Sequence, residues 1–159
     1  MRRPLIAFTP KSLLRLKAAV SELDEFTQGS FRPVLPDAGT TGDVRRVLLC
    51  SGKVYYDLAA EREKRGTTDI AILRVEQLYP LPAEELNAEL GRYPDAEIVW
   101  VQEEPANQGG WPFMALNLPE HLGGRPLLRV SRRASASPAV GSHAVHERQQ
   151  QEIVASSFA

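Results

Sequence analysis

The chain has 159 residues, the size of one domain and enough to bury a core without staples. Hydrophobic residues make up 43% and charged residues 25%, the balance of an ordinary globular protein, and 19 basic against 20 acidic residues nearly cancel. That near-neutrality argues against a nucleic-acid binder and against a surface held on anionic lipid, while leaving room for local basic sites.

Cys50 is the one cysteine, so no internal disulfide can form; this fits a reducing, intracellular compartment. No apolar run approaches the roughly 20 residues that a bilayer requires. The opening Arg2-Arg3, followed by a short apolar run, lacks the longer core and cleavage site of a secretory signal. The cytoplasm is the expected location.

Residues 4–8 read as a short strand. Thr9 stands in N-cap position before Pro10, which opens a helix of one or two turns over 11–17. Residues 21–43 show little periodicity and read as a connecting arm with an extended piece at 31–35. The expected division is therefore an arm over 1–42 and one α/β domain over 43–159.

From Asp43 strands and helices alternate. Residues 44–50 form a β-rich run that Ser51-Gly52 breaks. Residues 53–65 carry Val54, Tyr55, Leu58 and Ala59 as a helical stripe, which Gly66 stops. Residues 69–75 are a second strand. Pro82 opens a helix through Leu90, which Gly91 closes. Residues 97–102 are a third strand running into a polar loop over 103–110. Residues 111–121 are helical until Pro119 disrupts them. Residues 126–130 are a fourth strand, 131–141 a basic, serine-rich loop, and Ser142 caps a last helix over 143–156. Such alternation predicts a mostly parallel sheet covered on both faces, and near-continuous apolar runs such as Val47-Leu48-Leu49-Cys50 agree with it.

Open α/β sheets bind ligands beyond the carboxyl ends of their strands. Three loops lie there, bringing Ser51, Lys53, Glu103, Glu104, Asn107, Gln108, Arg132, Arg133 and Ser135 to one expected polar rim. Ser51-Gly52-Lys53 at a helix start suits an anion, or is a plain cap with a solvated lysine; it lacks the spacing of a phosphate-binding loop. Arg132-Arg133 can grip a phosphate or carboxylate, or form a solvated basic loop; with Ala134-Ser135 they also resemble a basophilic kinase site. Glu103 and Glu104 point to opposite faces of a strand end and suit hydrogen bonding rather than acid–base work. Trp111, Phe113 and Met114 read as a packing or subunit-contact surface, and Trp100 and Cys50 as core. His143 and His146 have a spacing that a metal pair can use, but with Glu147 alone nearby a solvated helix start is the better reading. No catalytic residue and no metal ligand is expected in this chain.

Five stretches occur in order: Leu5-Ile6-Ala7-Phe8-Thr9-Pro10-Lys11-Ser12-Leu13-Leu14-Arg15, Leu49-Cys50-Ser51-Gly52-Lys53-Val54-Tyr55-Tyr56, Arg74-Val75-Glu76-Gln77-Leu78-Tyr79-Pro80, Gln102-Glu103-Glu104-Pro105-Ala106-Asn107-Gln108-Gly109 and Arg132-Arg133-Ala134-Ser135-Ala136-Ser137-Pro138. Together they resemble the C-terminal domain of the E1 component of 2-oxoglutarate dehydrogenase, in the form found in actinobacterial multifunctional 2-oxoglutarate metabolism proteins. The resemblance spans nearly the whole chain. It implies a three-layer sandwich similar to the transketolase C-terminal domain.

The resemblance also implies an enzyme that decarboxylates 2-oxoglutarate on thiamine diphosphate and Mg²⁺ and passes the succinyl group to a lipoyl-bearing E2 component, as a step of the tricarboxylic acid cycle. In that family the cofactor lies between upstream domains of two subunits. The Gly-Asp-Gly type motif is missing here, so Met1 is expected to mark a fragment boundary or split reading frame, and the isolated chain is expected to be inactive. The implied partners are upstream E1 domains, a second E1 subunit and the E2 component. Actinobacterial members further imply an allosteric acetyl-CoA site, for which Lys53, Arg132 and Arg133 would serve phosphates and Thr9, Tyr56 and Gln108 would add polar or stacking contacts. The other readings are a free-standing nucleotide- or acyl-CoA-binding module and a flavodoxin-like redox domain.

Overall fold

The computed structural model describes every residue except 1, 2, 5 and 41, and the chain divides into two units, Met1–Phe31 and Arg32–Ala159. The first holds two 3-10 helices, Lys11–Arg15 and Leu23–Phe26. Pro10, not Thr9, takes the N-cap position of the first, because the turn begins where Leu13 N–H bonds the Pro10 carbonyl at 3.1 Å. The strand expected at 4–8 includes Leu5, outside the described residues; the others of that stretch form no strand. The second turn, unforeseen, is held by a reciprocal cap: Glu25 accepts the Glu22 N–H at 3.1 Å and Glu22 caps in return.

The second unit carries one sheet. Its strands are β1 (Val34–Leu35), β2 (Arg46–Cys50), β3 (Ile70–Val75), β4 (Glu97–Pro105) and β5 (Leu127–Arg132). They lie in the order β1-β3-β2-β4-β5; β1 runs antiparallel to β3 and the rest are parallel. The helices are α1 (Val54–Arg65), α2 (Ala83–Leu90), α3 (Trp111–Asn117) and α4 (His143–Ser157).

Successive strand residues point to opposite faces, and each face here finds its own pair of helices. Leu48, Cys50, Ile72 and Val99 pack with Val54 and Leu58 of α1 and Ile153 of α4. Val47, Leu49, Leu73 and Trp100 pack with Leu86 and Leu90 of α2 and Met114 of α3. The unit is thus a three-layer α/β sandwich with helices on both sides of a mostly parallel sheet.

Two strands run past their expected ends. β4 continues through Glu103 and Glu104 to Pro105, and β5 through Arg132, because Pro105 pairs with Arg132 beyond an irregularity and Ala106 N–H bonds the Arg132 carbonyl at 3.0 Å. Of the residues expected to form a packing or subunit-contact surface, Met114 is fully buried and takes the packing role; Leu116, two positions on and so on the opposite side of the helix, is 83% exposed. Ser142 occupies the α4 N-cap position without a side-chain hydrogen bond.

One buried ion pair fastens the β1 segment to the sheet. Asp37 Oδ1 meets Arg62 Nη1 of α1 at 2.5 Å and accepts the Ile72 N–H at 3.2 Å, while Oδ2 accepts the Thr40 N–H at 2.8 Å. The two side chains are 1% and 12% exposed. Burial pushes the Asp37 carboxyl upward, but hydrogen bonds from Arg62 and Thr40 and the charge of Arg62 outweigh it and hold the group below 3.8.

Asp37→Ala leaves Arg62 buried without its carboxylate and should destabilise the unit by about 3 kcal/mol in urea unfolding. The folded carboxyl binds its proton less readily than the unfolded one. Its contribution is therefore complete above pH 3.8 and fades as pH falls through the lower folded value. Asp37→Asn should flatten that part of the stability–pH curve.

Candidate functional site at the carboxyl edge of the sheet

The chain leaves β2 toward β3 on one side and leaves β4 toward β5 on the other, so the strand order reverses between β2 and β4. At that point Lys53, just ahead of α1, forms a salt bridge with Glu103 of β4 and lies 4.0 Å from Asp57. The lysine is therefore flanked by two carboxylates.

A chain of polar side chains runs from Lys53 toward β5. Gln150 Nε2 of α4 donates to Asp57 Oδ2 at 2.8 Å, and Gln150 Oε1 accepts from Arg132 Nη2 at 3.3 Å. The same Arg132 nitrogen lies 3.0 Å from His146 Nδ1. Lys53 and Arg132 thus belong to one network on the α1–α4 side. Among the described residues neither Arg132 nor Arg133 has a carboxylate partner, whereas Lys53 has two. Both arginines line a cavity of about 660 Å³; Lys53, Tyr56 and Gln108 do not.

Gln108 donates to the Ser135 carbonyl at 2.9 Å, and Asn107 pairs with Ser135 through two bonds of 3.0 Å. These contacts tie the loop after β4 to the loop after β5. Tyr56 packs edge-to-face on Tyr55, with centroids 5.2 Å apart. Thr9 lies exposed in the first unit.

Sequence reading missed Arg74. It sits at the end of β3 in register with Cys50, 4.6 Å from the Tyr55 ring centroid and 5.7 Å from that of Tyr56, and pairs with Glu76 at 3.0 Å. Its signal was a lone charge in the apolar run Ile70–Val75. Cys50 beside it is fully buried; burial, with a smaller push from Glu76 against a pull from Arg74, drives its thiol up to about 12, leaving no thiolate at neutral pH. No three His, Cys, Asp or Glu side chains among the described residues are grouped to hold a metal ion. His143 instead lies 3.5 Å from Glu147.

Gln102, buried at 3% exposure, organises the whole loop. Its Oε1 accepts from Trp100 Nε1 at 2.9 Å and from the Trp111 N–H at 2.7 Å; its Nε2 reaches the carbonyls of Gln108 at 2.8 Å, Pro105 at 3.0 Å and Glu104 at 3.3 Å. Gly109 follows with φ +65°, and a Cβ on Gly110 would lie 2.8 Å from the Trp100 ring, so neither position accepts a side chain without movement.

Residues 20–158 match the family model described as 2-oxoglutarate dehydrogenase C-terminal. The chain is 52% identical over 167 aligned residues to the multifunctional 2-oxoglutarate metabolism enzyme of Mycolicibacterium vanbaalenii, an alignment covering 99% of this chain and 13% of that protein. It is 51% identical to the protein of the same name from Mycobacterium sp. strain JLS, covering 100% and 13%. It is 49% identical to the 2-oxoglutarate dehydrogenase E1 component of Cupriavidus necator, covering 99% and 17%. The chain therefore spans 13–17% of the length of these relatives.

Gln102→Leu should orphan the Trp100 and Trp111 N–H groups and the carbonyls that Nε2 serves. A loss of about 3 kcal/mol in thermal unfolding is expected, together with a red-shifted tryptophan emission in the folded variant.

Proposed function

From the premise that the chain belongs to the 2-oxoglutarate dehydrogenase C-terminal family, we propose that it is the assembly and regulatory domain of a thiamine-diphosphate-dependent 2-oxoglutarate dehydrogenase E1. The observation that carries this is the likeness at 49–52% identity along essentially the entire chain to proteins named for 2-oxoglutarate metabolism. Decarboxylation of 2-oxoglutarate and succinyl transfer to a lipoyl-bearing E2 component belong, in this reading, to the assembled enzyme. Thiamine diphosphate supplies the electron sink for decarboxylation when bound. In this reading the cofactor and its Mg²⁺ would be held by the upstream E1 domains.

What the chain's own residues would do is hold and sense. Tyr79, 82% exposed and stacked edge-to-face on Phe113, and Leu116 give an apolar surface suited to upstream E1 domains or a second subunit. At the carboxyl edge, an acyl-CoA effector would meet Arg132 and Arg133 with its phosphates. Lys53 would join them by exchanging Glu103 for a phosphate oxygen, and Tyr56 and Gln108 would supply further contacts within the second unit. The absence of carboxylate partners at Arg132 and Arg133 favours them as the principal anchors.

Two measurements test this. Calorimetry with acetyl-CoA should show saturable binding that Arg132→Ala/Arg133→Ala weakens by at least about 100-fold, roughly 2.7 kcal/mol; equal affinities would refute the assignment. The isolated chain, given thiamine diphosphate, Mg²⁺ and 2-oxoglutarate, should release no detectable CO₂, and turnover at the rate of a full E1 would overturn the reading of it as a supporting domain.

A further inference from the structure

We propose that Ser135 is a regulatory phosphorylation site for a basophilic protein kinase, and that its phosphate occupies Arg132 and Arg133 and so excludes the acyl-CoA effector. A kinase of that class reads arginines two and three residues ahead of its target serine through carboxylates of its own, and it needs the target in an exposed segment without regular structure. Arg132-Arg133-Ala134-Ser135 supplies the spacing. Residues 133–139 are exposed in an unbroken run, and none of them lies in a helix or strand. Neither arginine has a carboxylate partner among the described residues, so an acidic kinase cleft breaks no ion pair in reaching them.

Hydrogen bonding separates Ser135 from its neighbour Ser137. Ser137 Oγ donates its proton to the Ala139 carbonyl at 2.7 Å. Ser135 Oγ accepts the Ser137 N–H at 3.2 Å and, among the described residues, donates to none, so its proton is free to leave. The Ser135 backbone is held by Asn107 and Gln108 through three bonds between exposed groups, which water can replace as the kinase draws the segment out. In the transfer, Ser135 Oγ attacks the γ-phosphorus of a nucleoside triphosphate. The Oγ–P bond forms and the bond from phosphorus to the β,γ-bridging oxygen breaks. The nucleoside diphosphate leaves with that electron pair, and the hydroxyl proton passes to the kinase's catalytic carboxylate.

Once formed, the phosphate stays beside the arginines. Ser135 stands two residues past Arg133, about 7 Å along the chain, and the bonds from Asn107 and Gln108 pin its backbone there. Ser135, Arg132 and Arg133 border one cavity, whose other charged lining residues are Arg148 and Glu152. A phosphoserine dianion is therefore met by net positive charge. It would hold the same two guanidinium groups that the effector's phosphates need, as a tethered competitor. This regulatory step rests on the acyl-CoA reading of Arg132 and Arg133; the modification itself does not.

The test treats the full chain with ATP and the catalytic subunit of cyclic-AMP-dependent protein kinase. Peptide mass spectrometry should place one phosphate on Ser135. Ser135→Ala should abolish labelling and Ser137→Ala should retain it. Arg133→Ala, an exposed substitution checked for folding by circular dichroism, should slow labelling by at least about tenfold. Phosphorus NMR of the phosphorylated chain should show a second phosphate ionisation below the ordinary value of about 6, and Arg133→Ala should bring it back up. Calorimetry should show acetyl-CoA binding to the phosphorylated chain at least about 30-fold more weakly than to the unmodified one. Labelling of a synthetic peptide of residues 129–141 but not of the folded chain, or labelling at Ser137 instead, would overturn the site. A phosphate that titrates as in that peptide would overturn its capture by the arginines. Equal acetyl-CoA affinity of the two forms would overturn the regulatory step. If acetyl-CoA binds neither form, the rim reading falls, while mapping and NMR still decide the modification.

Discussion

The buried carboxamide of Gln102 is the constraint on which the carboxyl edge depends. A polar side chain at the end of an apolar strand must satisfy both its oxygen and its nitrogen internally. Gln102 does so by binding the Trp100 ring, the first N–H of α3 and three carbonyls of the turn that follows β4. The turn is thereby folded back over its own strand, with Gly109 and Gly110 permitting the approach. Asn107 and Gln108 then face the next loop and fasten Ser135. A single buried amide thus sets the loop after β4, and through it the loop after β5, as one rigid polar border.

Electrostatics on that border are decided by pairing rather than by residue type. Lys53, Arg74, Arg132 and Arg133 all lie near strand carboxyl ends, yet they are not equivalent. Lys53 and Arg74 each have a carboxylate within reach, and Arg74 is further held against two tyrosine rings. The Arg132 side chain meets a histidine nitrogen and an amide oxygen rather than a carboxylate. An anion approaching the edge therefore gains most at Arg132 and Arg133, where it breaks no existing ion pair. At Lys53 it must first replace Glu103, so the net gain is smaller there.

The alternation of strands and helices was legible because burial on both faces forces continuous apolar runs in β2, β3 and β4, and glycine or proline marks the ends of α1 and α2. The rim loops were legible for the same reason, since topology alone sends them to one edge. What the sequence concealed were contacts made across long chain separations. Asp57 and Gln150 look like ordinary polar helix residues, yet they meet across 93 positions, and Asp37 finds Arg62 and Ile72 only once β1 adds to the sheet. The continuation of β4 past Gln102 depends on a pairing with β5 that no local pattern in Glu103-Glu104-Pro105 announces. In α3, seven residues are too few to resolve which apolar side faces inward, so the sequence left open that Met114 packs into the core while Leu116 stays exposed.

The last helix links these features, and its poor amphipathicity has a physical origin. α4 buries only Ile153 and Ser157 fully, along with Phe158 just beyond its end. It is held at its C-terminus instead by charge: Arg46 donates to the Ser157 carbonyl at 3.0 Å, and Arg45 to the carbonyls of Phe158 and Ala159 at 3.3 Å. Cations at terminal carbonyls satisfy orphan acceptors and oppose the helix dipole. With the C-terminal end so anchored, the first three turns are free to carry polar groups, and these are the ones that reach the rim through Gln150 and the cavity through Arg148 and Gln149. A helix fixed chiefly by apolar burial would have needed those positions for its core. Anchoring by Arg45 and Arg46 is thus what allows α4 to serve the core, the rim and the cavity together.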